Sequence, residues 1–129
     1  MANITKNFLG NELRMTGTPD GNAITNLYSL TTNSSGAVVD SNVATGIASG
    51  DVVRMGILPA GMRLDDAKTI VSTGMTATIT GKLGFAYVDG VDSTDVPQDD
   101  DYFGTGITIA TAGRYAASNT GVRPVVLPK

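Results

Sequence analysis

The chain has 129 residues, of which 41% are hydrophobic, 16% charged and 5% aromatic, enough for one domain whose core needs no disulfide or metal. Cys, His and Trp are absent, which excludes disulfide frameworks, thiol nucleophiles, thiolate or imidazole metal sites and the commonest general base. The formal net charge of −3 is opposite to the footprint of a phosphate-backbone binder, so no direct nucleic-acid partner is expected, and no apolar run approaches the roughly 20 residues of a membrane helix.

Residues 1–22 mix Asn, Thr and Gly with Phe8, Leu9, Leu13 and Met15 and show no alternation. They are expected as an extended N-terminal arm that orders on a neighbouring subunit, the alternative being a terminal strand or a frayed tail. The first residues lack the apolar stretch of a signal peptide, so the chain reads as soluble and made in a cytoplasm. A single domain over residues 23–129 follows. Residues 23–31 and the pair Val38-Val39 are weak strand candidates, while Asn33-Ser34-Ser35-Gly36 and Ala48-Ser49-Gly50 are loops by composition. Residues 51–58 place Val53, Met55 and Ile57 on one face. The run Leu58-Pro59-Ala60-Gly61 then supplies a turn, with Pro and Gly at the first and third positions after Leu58.

Residues 62–73 resume as a strand carrying Leu64, Ile70 and Val71, and Ser72-Thr73-Gly74 closes it. The clearest periodicity follows: Met75, Ala77, Ile79, Leu83, Phe85 and Tyr87 share odd positions with Gly81, whereas Thr76, Thr78, Thr80 and Lys82 occupy even ones. This is the alternation of a half-buried strand, with Gly81 marking a bulge or bend. The middle of the chain is therefore expected to form consecutive antiparallel strands. Residues 107–111 and 122–127 are weaker candidates, and Pro124 argues for an edge position in the latter. No segment carries a helical stripe with caps. The predicted fold is all-β: an antiparallel β-sandwich, jelly-roll-like, with an extended N-terminal arm.

Six of the eleven Asp residues lie within residues 89–101. Clustered carboxylates with Ser and Thr hydroxyls are competent calcium ligands, but the run lacks the EF-hand spacing and its closing Glu. A solvated loop between strands is the reading preferred over a metal site, because Asp tolerates turn geometry and like charges discourage edge pairing; an acidic lip facing a basic partner is a third. Glycoside hydrolysis by Asp99, Asp100 and Asp101 is disfavoured because a general acid needs a carboxyl raised by burial. Ser29, Ser72 and Ser118 have no His partner, and neither Walker nor Rossmann glycine spacing occurs. The Thr76, Thr78, Thr80 face suits a polar ligand, with few aromatics to stack on sugars. Among the arginines Arg54, Arg63, Arg114 and Arg123, partner contacts are assigned to Arg63 and Arg114, because guanidinium pairs well with interfacial carboxylates. No catalytic residue, cofactor or resident metal is assigned.

The stretch Gly50-Asp51-Val52-Val53-Arg54-Met55-Gly56-Ile57-Leu58-Pro59-Ala60-Gly61-Met62-Arg63-Leu64 is followed by Gly84-Phe85-Ala86-Tyr87-Val88-Asp89-Gly90. Asp99-Asp100-Asp101-Tyr102-Phe103 and Ile109-Ala110-Thr111-Ala112-Gly113-Arg114 come after it. Over residues 47–115 this order resembles the head decoration, or cement, proteins of tailed bacteriophages. The resemblance implies a small β-sandwich that sits as a homodimer or homotrimer on the outer surface of an expanded capsid, is synthesised in the host bacterial cytoplasm, and bridges neighbouring major capsid subunits without chemistry. It implies Phe8, Leu9, Leu13 and Met15 of the arm, with Arg63 and Arg114, as partner contacts. Similar proteins continue past Pro124-Val125-Val126-Leu127-Pro128-Lys129 into further strands, where this chain stops. The alternatives are a phage tail or baseplate component and a virion-displayed carbohydrate-binding module.

Overall fold

The computed structural model describes residues 1–7, 25–75, 78–116 and 125–129. Regular structure among the described residues is all β, in strands β1 (Asn3–Thr5), β2 (Val52–Arg54), β3 (Arg63–Leu64), β4 (Lys68–Val71), β5 (Thr80–Phe85), β6 (Asp99–Thr108), β7 (Gly113–Ala116) and β8 (Val125–Val126). They belong to two compact units, Met1–Leu58 and Pro59–Lys129.

In the first unit β1 pairs in parallel with β2, Ile4 lying opposite Val53. Ile4 is 1% exposed and packs a β-branched side chain where the pleat favours it. The pairing is clamped at its start by Asp51, whose carboxylate accepts hydrogen bonds from the Ala2 amide at 2.7 Å and the Ala48 amide at 2.9 Å. These bonds, Ala48 foremost, hold the Asp51 carboxyl below the ordinary carboxylate range by favouring its charged form. Lys6, nearly buried, donates its ammonium to the Ser29 carbonyl, satisfying a charge that burial would otherwise penalise. Residues 1–7 of the expected arm are thus a strand of this unit and its continuation. The remainder, with Phe8, Leu9, Leu13 and Met15, lies outside the described residues.

Residues 25–30 form no strand; the backbone pairs only briefly at Thr32 and Val38. The Asn33 side chain explains the reversal between them, accepting from the Ser35 amide and hydroxyl and from the Ala37 amide, an Asx turn that competes with an extended ladder. The predicted strand over residues 51–58 shortens to β2. Beyond it the Tyr28 ring lies against bare Gly56, where a Cβ would stand 3.1 Å from Tyr28 Cγ and nearer to two other ring carbons, and the Tyr28 hydroxyl donates to the Ile57 carbonyl at 2.7 Å.

The second unit departs from the expected consecutive order. Its strands nest: β5 pairs antiparallel with β6, β4 with β7 outside them, and β3 with β8 outside those. Neighbours in sequence from β2 to β5 do not pair with one another. Residues 62–73, expected as one strand, divide into β3 and β4, because Arg63 folds onto Asp65 and Asp66 turns back to cap the Ala67 amide. The β3–β8 pairing extends through Gly61, whose amide donates to Leu127 O while the Leu127 amide donates to Met62 O. Gly61 does so at φ +76°, a backbone state open to glycine at no steric cost.

The alternation of the long central segment holds over β5, where Thr80 and Lys82 are exposed and Gly81, Leu83 and Phe85 half-buried, and beyond its end Tyr87 is buried. Its partner β6 does not match it residue for residue. Phe85 lies opposite Asp99 and Leu83 opposite Gly104, so Gly84 faces Asp100, Asp101, Tyr102 and Phe103, a wide bulge. Gly84 permits it, since a Cβ there would stand 2.7 Å from Asp100 Cα and closer still to Asp99 O. A second slip falls at Lys82, where Gly106 supplies the left-handed residue at φ +63°. Leu64, Tyr87, Tyr102, Ile107 and Leu127 are the buried hydrophobic side chains of this unit. Phe85 meets both Tyr87 and Tyr102 edge to face, with ring centroids 5.9 Å and 5.3 Å apart, the favoured aromatic geometry.

Candidate functional site

The acidic stretch separates into two parts. Residues 89–98 are the expected loop, organised by its own carboxylates: Asp89 accepts from the Val91 amide, and Asp92 from the Ser93 and Gln98 amides. The loop is fastened by Tyr87, whose hydroxyl donates to the Val96 carbonyl at 2.6 Å. Lys129 fastens it again, its ammonium lying 2.7 Å from Asp89 Oδ2 and 5.1 Å from the Tyr87 ring centroid. That hydrogen bond is the main reason Asp89 titrates below the ordinary range.

Asp99, Asp100 and Asp101 are not in the loop. They open β6, a correction to the solvated-loop reading. Three successive Asp disfavour a strand on propensity, but the bulge turns them toward Lys82 of β5, whose ammonium lies 3.2 Å from Asp100 and 3.7 Å from Asp101. The hydrogen bond with Asp100, then its charge, raises the Lys82 ammonium above its ordinary value. One oxygen of each of the three carboxylates lies within 4.8 Å of the others. A hydrogen bond with Asp99 raises the Asp101 carboxyl above its ordinary value, as expected when like charges crowd one site. These three residues are the ones that would hold a hard cation, with three of the six to eight oxygens calcium takes. As an acid–base pair they lack the burial that sets a glycosidase acid, for the Asp100 side chain is 79% exposed.

The two arginines assigned to partner contacts have different fates. Arg63 grips Asp65, Nε to Oδ1 at 2.7 Å and a second nitrogen to Oδ2 at 3.2 Å. This keeps the guanidinium of Arg63 charged but occupies the planar fork with which it would recognise a partner. Arg114 is exposed on β7 directly opposite Ile70 of β4. The threonine face is smaller than the alternation suggested: Thr80 lies in β5, Thr78 precedes it in a turn at φ 65°, and Thr76 lies outside the described residues.

Lys68, Ile70, Lys82 and Lys129 were not singled out by sequence reasoning. The signal for Lys82 was an even-position cation on the alternating strand, and for Ile70 a large apolar residue sharing parity with Lys68. Comparison with family models, curated proteins and solved structures found no match to this chain.

Proposed function

We propose that the protein is a non-enzymatic virion structural protein that decorates and stabilises the mature capsid shell of a tailed phage by bridging neighbouring major capsid subunits. The observation that carries the reading is the apolar surface its strands leave outward: Ile70 is 61% exposed, Val126 53% and Val52 48%, on sheets of two strands each among the described residues. Strand edges and outward apolar side chains are what a protein uses to pair with or pack against other chains. The resemblance over residues 47–115 supplies the phage shell as the assembly. The nested strand pairs support the jelly-roll form of the fold, because one long antiparallel hairpin folded on itself gives that order before its arms wrap into two sheets.

In this reading the work is thermodynamic. A ligand that binds the expanded lattice and not its precursor stabilises the expanded state by mass action, and contacts to several capsid subunits raise the effective concentration of each further one. The test is cosedimentation of the purified protein with mature heads and with unexpanded procapsids, both lacking it. Binding to mature heads alone is expected; binding to neither overturns the proposal, and retention on immobilised glycans with no head binding transfers the protein to the carbohydrate-binding alternative.

A further inference from the structure

The β4–β7 ribbon has two faces of different character. Thr69 and Val71 of β4, with Gly113 and Tyr115 of β7, are half-buried on one side. The other side carries Lys68 opposite Ala116 and Ile70 opposite Arg114, all four exposed. Residues directly paired across antiparallel strands, and residues two apart along one strand, share a face. An exposed isoleucine therefore sits beside two cations, and neither Lys68 nor Arg114 has an ion-pair partner among the described residues. Asp66, the nearest acid before β4, is turned back onto the Ala67 amide.

The same unit carries a surface of the opposite character. In the loop after Tyr87, Val88 is 81% exposed and Val91 60%, and the exposed acids Asp92 and Asp95 accompany them. The carboxylate of Asp92 is used only to order its own loop, and Asp95 has no ion-pair partner among the described residues. One surface is apolar and basic, the other apolar and acidic, and the strand pairing does not bring them together within the chain.

We infer that the outward face of the β4–β7 ribbon, Lys68, Ile70 and Arg114, docks on the Val88, Val91, Asp92 and Asp95 surface of a second copy of this chain. The occupant is argued from complementarity: each surface offers the charge the other lacks, and each leaves out apolar side chains that the contact would bury. Because the two surfaces differ, the contact is heterologous and propagates head to tail, closing into a ring where the rotation permits. It goes beyond the capsid reading and does not depend on it.

Sedimentation velocity of the full chain, without capsids, tests the inference. Self-association is expected, weakening as salt rises from about 0.01 M to about 1 M and the screening length falls from about 30 Å to about 3 Å. Arg114→Glu alone sets acid against acid, and Asp95→Arg alone sets base against base; each is expected to weaken association about tenfold or more, with an unchanged circular dichroism spectrum. Mixing the two variants restores it, since both alternating contacts are then complementary. Ile70→Ser weakens association without altering its salt dependence. A wild-type chain that stays monomeric at every concentration, single variants that associate like wild type, or a mixture that fails to recover overturns the inference. So does loss of head binding by Arg114→Glu with self-association intact, which would assign the face to the capsid.

Discussion

Replacing Gly84 by Ala tests the most unusual feature of the second unit, the bulge that sets four residues of β6 against one of β5. The added methyl carbon would stand 2.7 Å from Asp100 Cα and closer to Asp99 O and Asp100 C. All three are backbone atoms, so no side chain can swing away. Restoring ordinary contact requires the strands to part by at least about 0.7 Å, enough to strain the adjoining ladder bonds. Overpacking of this kind costs about 1–3 kcal/mol, and each weakened hydrogen bond about 1 kcal/mol. Against that, Gly84 has ordinary strand backbone, so alanine would stabilise by about 0.4–1 kcal/mol through the unfolded chain were there room. The net expectation is a loss of about 2–3 kcal/mol, or a fall in Tm of about 10–20 °C for a unit of this size. The chain has no Trp, so urea and thermal unfolding are followed by far-ultraviolet circular dichroism and tyrosine fluorescence. Gly90→Ala serves as the control: its site is open space but its φ is +72°, so about 1 kcal/mol is lost to conformation alone. A Gly84→Ala protein as stable as wild type, or more so, refutes the close approach and the register built on it.

Ile4→Ala removes the fully buried side chain of the first unit and is expected to cost about 2–4 kcal/mol, with amide exchange accelerating at Val52–Arg54 before it does in β5. Leu127→Ala, at a side chain 3% exposed, should cost a similar amount and release β8 from β3, read as lost protection of the Leu127 amide. Asp51 titrates below its ordinary range, so its contribution is present above the unfolded carboxylate pKa and is lost as pH falls through the folded one; Asp51→Asn should flatten that part of the Tm-against-pH curve. Asp101 has the opposite sign: its carboxyl is raised by Asp99, so its contribution is present at low pH and lost as pH rises through the folded value. Asp101→Asn is accordingly expected to raise Tm at neutral pH, and a lower Tm there would contradict the crowding of Asp99 and Asp101.

Much of the local structure was legible from residue order. The parity of Gly81, Leu83, Phe85 and Tyr87 reads directly as the inward side of one segment, because a strand turns alternate side chains to opposite faces. The reversals at Asn33 and at Gly61 were legible for the same local reason, since Asn hydrogen-bonds its own backbone and Gly accepts a left-handed conformation. Asp99, Asp100 and Asp101 were misplaced because strand propensity measures the fit of a side chain to its surroundings, and the surroundings that admit them, Lys82 and the bare Gly84, come from β5.

By itself, the amino-acid sequence determined the class and the punctuation: a chain with few helix-forming stripes, frequent turn residues and no Cys or His becomes short strands without imidazole or thiol chemistry. Which strand meets which was decided in the tertiary structure. Alternation specifies a face, but it says nothing of a partner. The parallel pairing of β1 with β2 and the nesting of β3, β4 and β5 inside β8, β7 and β6 follow from long-range hydrogen bonding set against loop-closure entropy, which grows only slowly with the length of chain between the strands. The same pairing separates the two arginines, leaving Arg63 closed on Asp65 and Arg114 open beside Ile70.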